Sequence, residues 1–246
     1  RDSSPSRGLG DVYTRQVEVS LQQPDTSAAA PFEQFQSAAI TINTGEMVGE
    51  SPKVKEILQI IDKIAENDAP VLLEGEFGSG KQMVARGIHN ASSRKDAPFK
   101  VLQCSALPEE LLEAELFGSP SSRGETIFSR AAGGTILLEE IHVLPLRLQS
   151  KLESYLEEIS TRRIMGNLPR QMDVRFLASS AKPLQELIDV GSFREDLYYK
   201  ISIIPIEVPP LRARVEDIGP LCEHFLKQAA ERSGNKIPDS LSLRHI

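Results

Sequence analysis

The sequence predicts an α/β protein, a parallel sheet of five strands covered by helices on both faces. Three observations lead to it. Short apolar runs alternate with helical patterns through the middle of the chain, the first run opens onto a glycine-rich turn that leads into a helix, and the third ends on two adjacent acidic residues.

Each element has its own signal. Residues 1–45 are rich in Ser, Gln, Ala, Pro and Gly, with strand-like alternation only at Val17, Val19 and Leu21, and read as a linker or the end of an upstream domain. Ser51-Pro52 is an N-cap followed by proline at the first helical position, and Val54, Ile57, Leu58, Ile61 and Ile64 share one helical face. Val71 to Leu73, Val101-Leu102, Thr135 to Leu138, Val174 to Ala178 and Ile201 to Val208 supply the strands. Helices fall between them, through Val84 and Ile88, through Leu112 and Leu116, along Leu148, Leu152, Tyr155, Leu156 and Ile159, and over Leu184 to Val190. Residues 46–210 therefore form the α/β unit. Beyond Pro209-Pro210 the pattern changes, and Ile218, Leu221, Cys222, Phe225, Leu226 and Ala229 open a small helical unit over 211–246.

Composition narrows the function. The 246 residues carry 28 Lys plus Arg against 35 Asp plus Glu, a charge of -7, which disfavours wrapping nucleic acid by phosphate neutralisation alone. Cys104 and Cys222 have no CxxC partner, so they read as packing residues in a reducing cytosol, Cys104 on an apolar strand and Cys222 on a helix stripe. No apolar run reaches the length of a membrane span, and the chain starts with Arg, so a cytoplasmic piece of a longer protein is expected.

The chemistry begins at Gly75-Glu76-Phe77-Gly78-Ser79-Gly80-Lys81-Gln82, a GxxxxGK loop after an apolar strand and before a helix. Its backbone N–H groups cradle a polyphosphate, the helix N-terminus adds positive potential, and Lys81 brings a mobile charge to the outer phosphates. Gln82 stands where such loops carry a Ser or Thr on magnesium, so the metal must lean on other groups. Glu139 and Glu140, at the tip of the third strand, are those groups: the first for the Mg2+ shell, the second for the attacking water.

With these residues the chain resembles the AAA+ domain of bacterial enhancer-binding regulators, the NtrC-like activators of sigma-54 RNA polymerase. The resemblance runs from Met47 to Lys227. It also rests on Met47-Val-Gly-Glu-Ser-Pro52, Leu107 to Gly118, Gly133 to Ile141, Phe193-Arg-Glu-Asp-Leu-Tyr-Tyr199 and Pro209-Pro-Leu-Arg-Ala-Arg214. It implies a P-loop αβα sandwich with a helical lid begun at residue 211, ATP with Mg2+, and a homo-oligomeric ring, hexameric or heptameric in a full protein. It also implies DNA contact through a domain beyond this chain, and RNA polymerase or another regulator as client. Arg194 matches an arginine that reaches the neighbouring subunit's nucleotide, and Lys200 stands where a second is expected, keeping the charge without the planar fork. Arg194 pairing with Glu195 or Asp196 on a surface helix is the plainer alternative.

Departures from the family pattern cluster around the chemistry. Glu139 replaces Asp, Ser180-Ala181 replaces a Thr-Asn sensor, and Gln103 stands for an Asn that restrains the catalytic glutamate. The GAFTGA loop that touches sigma-54 is missing, only Ser119 to Ala132 joining Phe-Gly to the Gly-Gly-Thr strand. The expectation is an ATP-binding regulatory module, independent of sigma-54, with weak or absent hydrolysis. An active ATPase motor with another client, or a scaffold sensing a signalling nucleotide such as a cyclic dinucleotide, are the alternatives. His89, His142 and His224 stand apart and read as core or surface histidines, His142 lying close behind the acidic pair. Arg162-Arg163 are placed in the connection before the fourth strand, as a solvated turn or a partner contact. Arg212 and Arg214 sit near the adenine or pair with Glu216 and Asp217.

Overall fold

The computed structural model describes residues 48–118 and 125–233. The linker expected over 1–45, residues 119–124 of the connection where a loop deletion is expected, and the end of the expected lid after residue 233 lie outside the described residues.

Chain order is α1 (Pro52–Ile64), β1 (Val71–Glu74), α2 (Lys81–Ala91), β2 (Phe99–Gln103), α3 (Glu109–Phe117), α4 (Ile127–Arg130), β3 (Thr135–Glu139), α5 (Leu146–Ile164), β4 (Arg175–Ser180), α6 (Leu184–Asp189), α7 (Glu195–Ile201), β5 (Ile204–Glu207) and α8 (Ile218–Ser233). The five strands are all parallel in the order β2-β3-β4-β1-β5. The three inner strands β1, β3 and β4 alternate between two buried faces, whereas the edge strands β2 and β5 expose every second residue or so. Leu72, Ile136, Leu138, Phe176 and Ala178 pack with α3 to α7, whereas Val71, Leu73, Leu137 and Leu177 pack with α1 and α2. The result is the three-layer αβα sandwich that near-continuous apolar strands require.

Local signals hold the ends in place. Ser51 caps α1 by accepting from the Val54 N–H at 3.4 Å, and its own hydroxyl donates to Asp217 at 2.7 Å. Asp217 also accepts from the Glu50 and Ser51 N–H groups, tying the start of α1 to the residue before α8. Gly134 is forced by crowding: a Cβ there would stand 2.0 Å from the Pro98 carbonyl oxygen.

Several boundaries differ from the sequence reading. Cys104 is not on a strand but opens the 3-10 turn Cys104–Ala106 after β2, and burial pushes its thiol up to about 12, helped by Glu139 and Glu140. Ile201 closes α7, so β5 starts only at Ile204. Arg162 and Arg163 belong to the last turn of α5, where Arg162 pairs with Glu158 one turn back and Arg163 with Asp173.

Candidate functional site: a phosphate cradle at the strand tips

The C-terminal ends of β1, β3 and β4 converge, and the order of the sheet puts β1 between β4 and β5. Such a crevice is where open α/β sheets bind ligands. Residues 75–80 leave β1 and return as the N-terminus of α2, whose first turn has no side-chain cap. The Met83 N–H bonds the Gly80 carbonyl, and the Lys81 and Gln82 N–H groups face the loop, where an anion would accept from them. Gly75 allows the loop to pass close to β5, since a Cβ there would lie 2.3 Å from the Val208 carbonyl oxygen.

Within the loop the side chains divide sharply. Phe77 is 85% exposed, whereas Ser79 and Lys81 are buried. Lys81 Nζ donates to the Gly75 and Glu76 carbonyls at 2.8 and 3.1 Å and lies 3.5 Å from Glu140 Oε1. The buried Ser79 hydroxyl has no protein partner. A buried donor without an acceptor is costly, and a phosphate oxygen would relieve it, so the residues present fit a nucleotide's anionic tail. Gln82 follows as the second residue of α2, half-buried.

Glu139 ends β3, in register with Gln103 of β2. Burial pushes its carboxyl above the usual range, the Glu140 charge adds to this, and Lys81 and Arg86 offset only part. A half-buried carboxylate held in that state suits a cation. Among the described residues no group of three or more His, Cys, Asp or Glu could hold a metal by itself, so phosphate oxygens would have to complete a magnesium shell. Glu140 adopts the left-handed region (φ +55°), alone in this among the described non-glycine residues, which bends its carboxylate back toward the loop.

Three further residues surround the cradle, and their contacts were legible in the sequence only in part. His142 Nδ1 lies 3.4 Å from Glu140 Oε2 and 3.3 Å from the Ser180 hydroxyl at the end of β4, so it is neither isolated nor a plain packing residue. Arg212 forms a two-pronged ion pair with Glu76 of the cradle rather than with Glu216 or Asp217. Arg214 donates to the Ser79 carbonyl at 2.6 Å, and its charge helps lower Asp217. His142 carried a signal in its closeness to the acidic pair; the resemblance put Arg212 and Arg214 near the nucleotide, but their partners, more than a hundred residues away, were not legible.

Arg194 and Lys200 are not brought to this crevice. Arg194 pairs with Asp196, the plainer of the two sequence readings within one chain, and Lys200 pairs with Glu153 and Glu157 of α5. Asp196 and Lys200 line a cleft of about 730 Å3 with Asn67 to Pro70 and Val174, at the opposite, N-terminal edge of β1 and β4.

A glycine loop between β1 and α2 with an acidic strand tip beside it defines a P-loop nucleotide-binding fold. The family model described as the Sigma-54 interaction domain matches residues 47–207, and the chain belongs to that AAA+ family of transcriptional regulators. It is 35% identical over 240 residues to the transcriptional regulatory protein FlbD of Caulobacter vibrioides, covering 95% of this chain and 52% of FlbD. It is 42% identical over 202 residues to a signal-transduction and transcriptional-control protein of Clostridium beijerinckii, covering 79% of this chain and 32% of that one. Among solved structures, NtrX from Brucella abortus in complex with ATP superposes with a TM-score of 0.70 at 36% identity, over 82% of this chain and 47% of NtrX. The ADP complex of the same protein gives 0.70 at 37% identity, over 78% of this chain and 44% of NtrX. The chain thus spans about half or less of the relatives it matches. No described helix is long and apolar enough to cross a membrane.

Proposed function

We propose that this chain is the ATP-binding module of a bacterial transcription regulator that self-assembles, acts without sigma-54 and hydrolyses ATP slowly or not at all. Residues 75–82 hold the phosphates, with Lys81 on the outer ones. Glu139 carries the magnesium shell and Glu140 faces the attacking water. Arg194 and Lys200, remote from their own cradle, serve a neighbouring copy's nucleotide, and DNA is reached through a domain beyond this sequence.

One observation carries the departure from the family's usual client. The ends of the shortened connection meet: a Cβ on Gly118 would lie 3.5 Å from Thr126 Cγ2. Only residues 119–125 join them, which leaves little chain to build an activator loop. Glu139 in place of Asp, Ala181 in place of an amide and Lys200 in place of an arginine support the weak turnover.

Calorimetry and turnover on one preparation test the reading. ATP binds the wild type, Lys81→Ala weakens it by about tenfold or more, and hydrolysis stays slow at saturating magnesium and ATP. Rapid turnover that collapses in Glu140→Gln would favour a motor with another client, a reading the retained Lys81–Glu140 pair also permits. Stimulation of open-complex formation by sigma-54 polymerase with the intact parent protein would refute independence from that factor.

A further inference from the structure

We infer that His142 is a positioning residue for Glu140, its Nδ1–H fastening the carboxylate to Ser180 at the end of β4. The inference rests on the reading of 75–82 and 139–140 as a nucleotide site, and concerns how one side chain is held within it.

The backbone sets up the contact. Glu140 turns the chain through the left-handed region, and His142 follows in the 3-10 turn Ile141–Val143, which returns the imidazole over the glutamate. The carboxylate then spans two neighbours, Oε1 at 3.5 Å from Lys81 Nζ and Oε2 at 3.4 Å from His142 Nδ1. Ser180 completes the arrangement at 3.3 Å from the same nitrogen.

Hydrogen counting assigns the proton. The Ser180 hydroxyl lies 2.5 Å from the Lys182 carbonyl, an acceptor only, so its single hydrogen is committed there. Its lone pairs accept from the Lys182 N–H at 3.2 Å and from the imidazole. Glu140 Oε2 is also an acceptor. Nδ1 therefore faces two acceptors and must be the protonated nitrogen, shared between them, while Nε2 keeps its lone pair. Burial lowers the imidazole's pKa, the Glu140 charge works the other way, and Lys182 and Lys81 add to the lowering, so that on balance the neutral ring is favoured.

The chemical consequence is one of stance. His142 gives up no proton. It holds one carboxylate oxygen against β4 and leaves the other on the side of Lys81 and the cradle. At the end of β4, Ala181 has no side-chain donor to offer, and His142 supplies one from β3's side of the crevice. Removing the imidazole frees the Glu140 side chain to rotate among its rotamers.

Three measurements on the 246-residue chain test this. Long-range proton–nitrogen NMR with 15N-labelled histidine should show one of the 4 histidines as the Nδ1–H tautomer. That signal should vanish in His142→Asn and shift in Ser180→Ala and in Glu140→Gln. An Nε2–H tautomer at His142, or indifference to both neighbours, overturns the assignment whether or not ATP is turned over. In single-turnover hydrolysis, His142→Gln should lower the rate by about tenfold. ATP affinity, read by calorimetry, should stay within about twofold. His142→Asn, whose amide nitrogen falls near Nδ1, should restore the rate. Equal losses in Asn and Gln, or a loss of ATP affinity in step with rate, would overturn the role. Absence of ATP binding in the wild type would instead defeat the nucleotide reading, and the tautomer would still decide the contact.

Discussion

The two ends of the parallel sheet treat their polar groups in opposite ways. At the N-terminal end, Arg94 joins Asp68 and Asp173, Arg175 donates to the Ile64 and Ala65 carbonyls at the end of α1, and His89 meets the Thr135 hydroxyl at 2.9 Å. Among the described residues, Arg175 Nε is the one buried side-chain donor left over at that end. At the C-terminal end, the buried Ser79 hydroxyl has no partner, Glu139 is forced up by burial, and Glu140 occupies strained backbone. Polar groups at the N-terminal end are largely satisfied within the chain; those at the C-terminal end are left wanting a partner, the pattern a ligand site would show.

The largest expected effect is at the satisfied end. Gly134→Ala drives a methyl group into the Pro98 carbonyl, which is also the acceptor for the Thr135 N–H at 2.9 Å. The β2–β3 ladder must shift, and a loss of about 4 kcal/mol or failure to fold is expected, read by urea unfolding. A Tm within a degree or two of wild type would break the comparison at its base. Arg94→Ala comes next. The arginine is mostly buried but its two aspartates are more than a third exposed, so solvent screening reduces the cost to about 1–2 kcal/mol. ATP affinity in that variant should be unchanged, because no described contact joins Arg94 to the cradle.

How much of this was legible in the sequence follows from sequence distance. The presence of the five strands, the Ser51 cap and the glycine loop rest on neighbours a few residues apart and lie where the pattern places them. The exceptions are limits such as Ile201, which the pattern put in β5, and Cys104, which it put in β2. Arg175 shows the limit. It is the first residue of β4 and fully buried, although an arginine among apolar residues gives no hint that two carbonyls 110 and 111 positions earlier await it. Asp217 is similar, its three bonds reaching back to Glu50 and Ser51. In the site, the acidic pair was legible because it ends an apolar run, while the imidazole, Ser180 and Arg212 contacts depend on which strands become neighbours.

The unsatisfied end makes the opposite prediction. Glu139 has a folded pKa above its ordinary 4.5, first through burial and then through Glu140, so its ionised form opposes folding. An acid raised in this way binds its proton more tightly folded than unfolded. Stability attributable to it is therefore full below the ordinary value, falls as pH rises through the window up to the folded pKa, and stays reduced above. Glu139→Gln keeps the shape and removes the charge. It should match the wild type at pH 4 or below and gain at neutral pH, by less than about 1 kcal/mol once solvent screening of this half-exposed group is allowed for. Thermal unfolding across pH reads the divergence. Magnesium with ATP should cancel the gain in the wild type's favour, since a bound cation removes the penalty that the substitution relieves. A Glu139→Gln protein less stable than wild type at neutral pH, without nucleotide, would mean that this carboxylate already has its partner inside the chain.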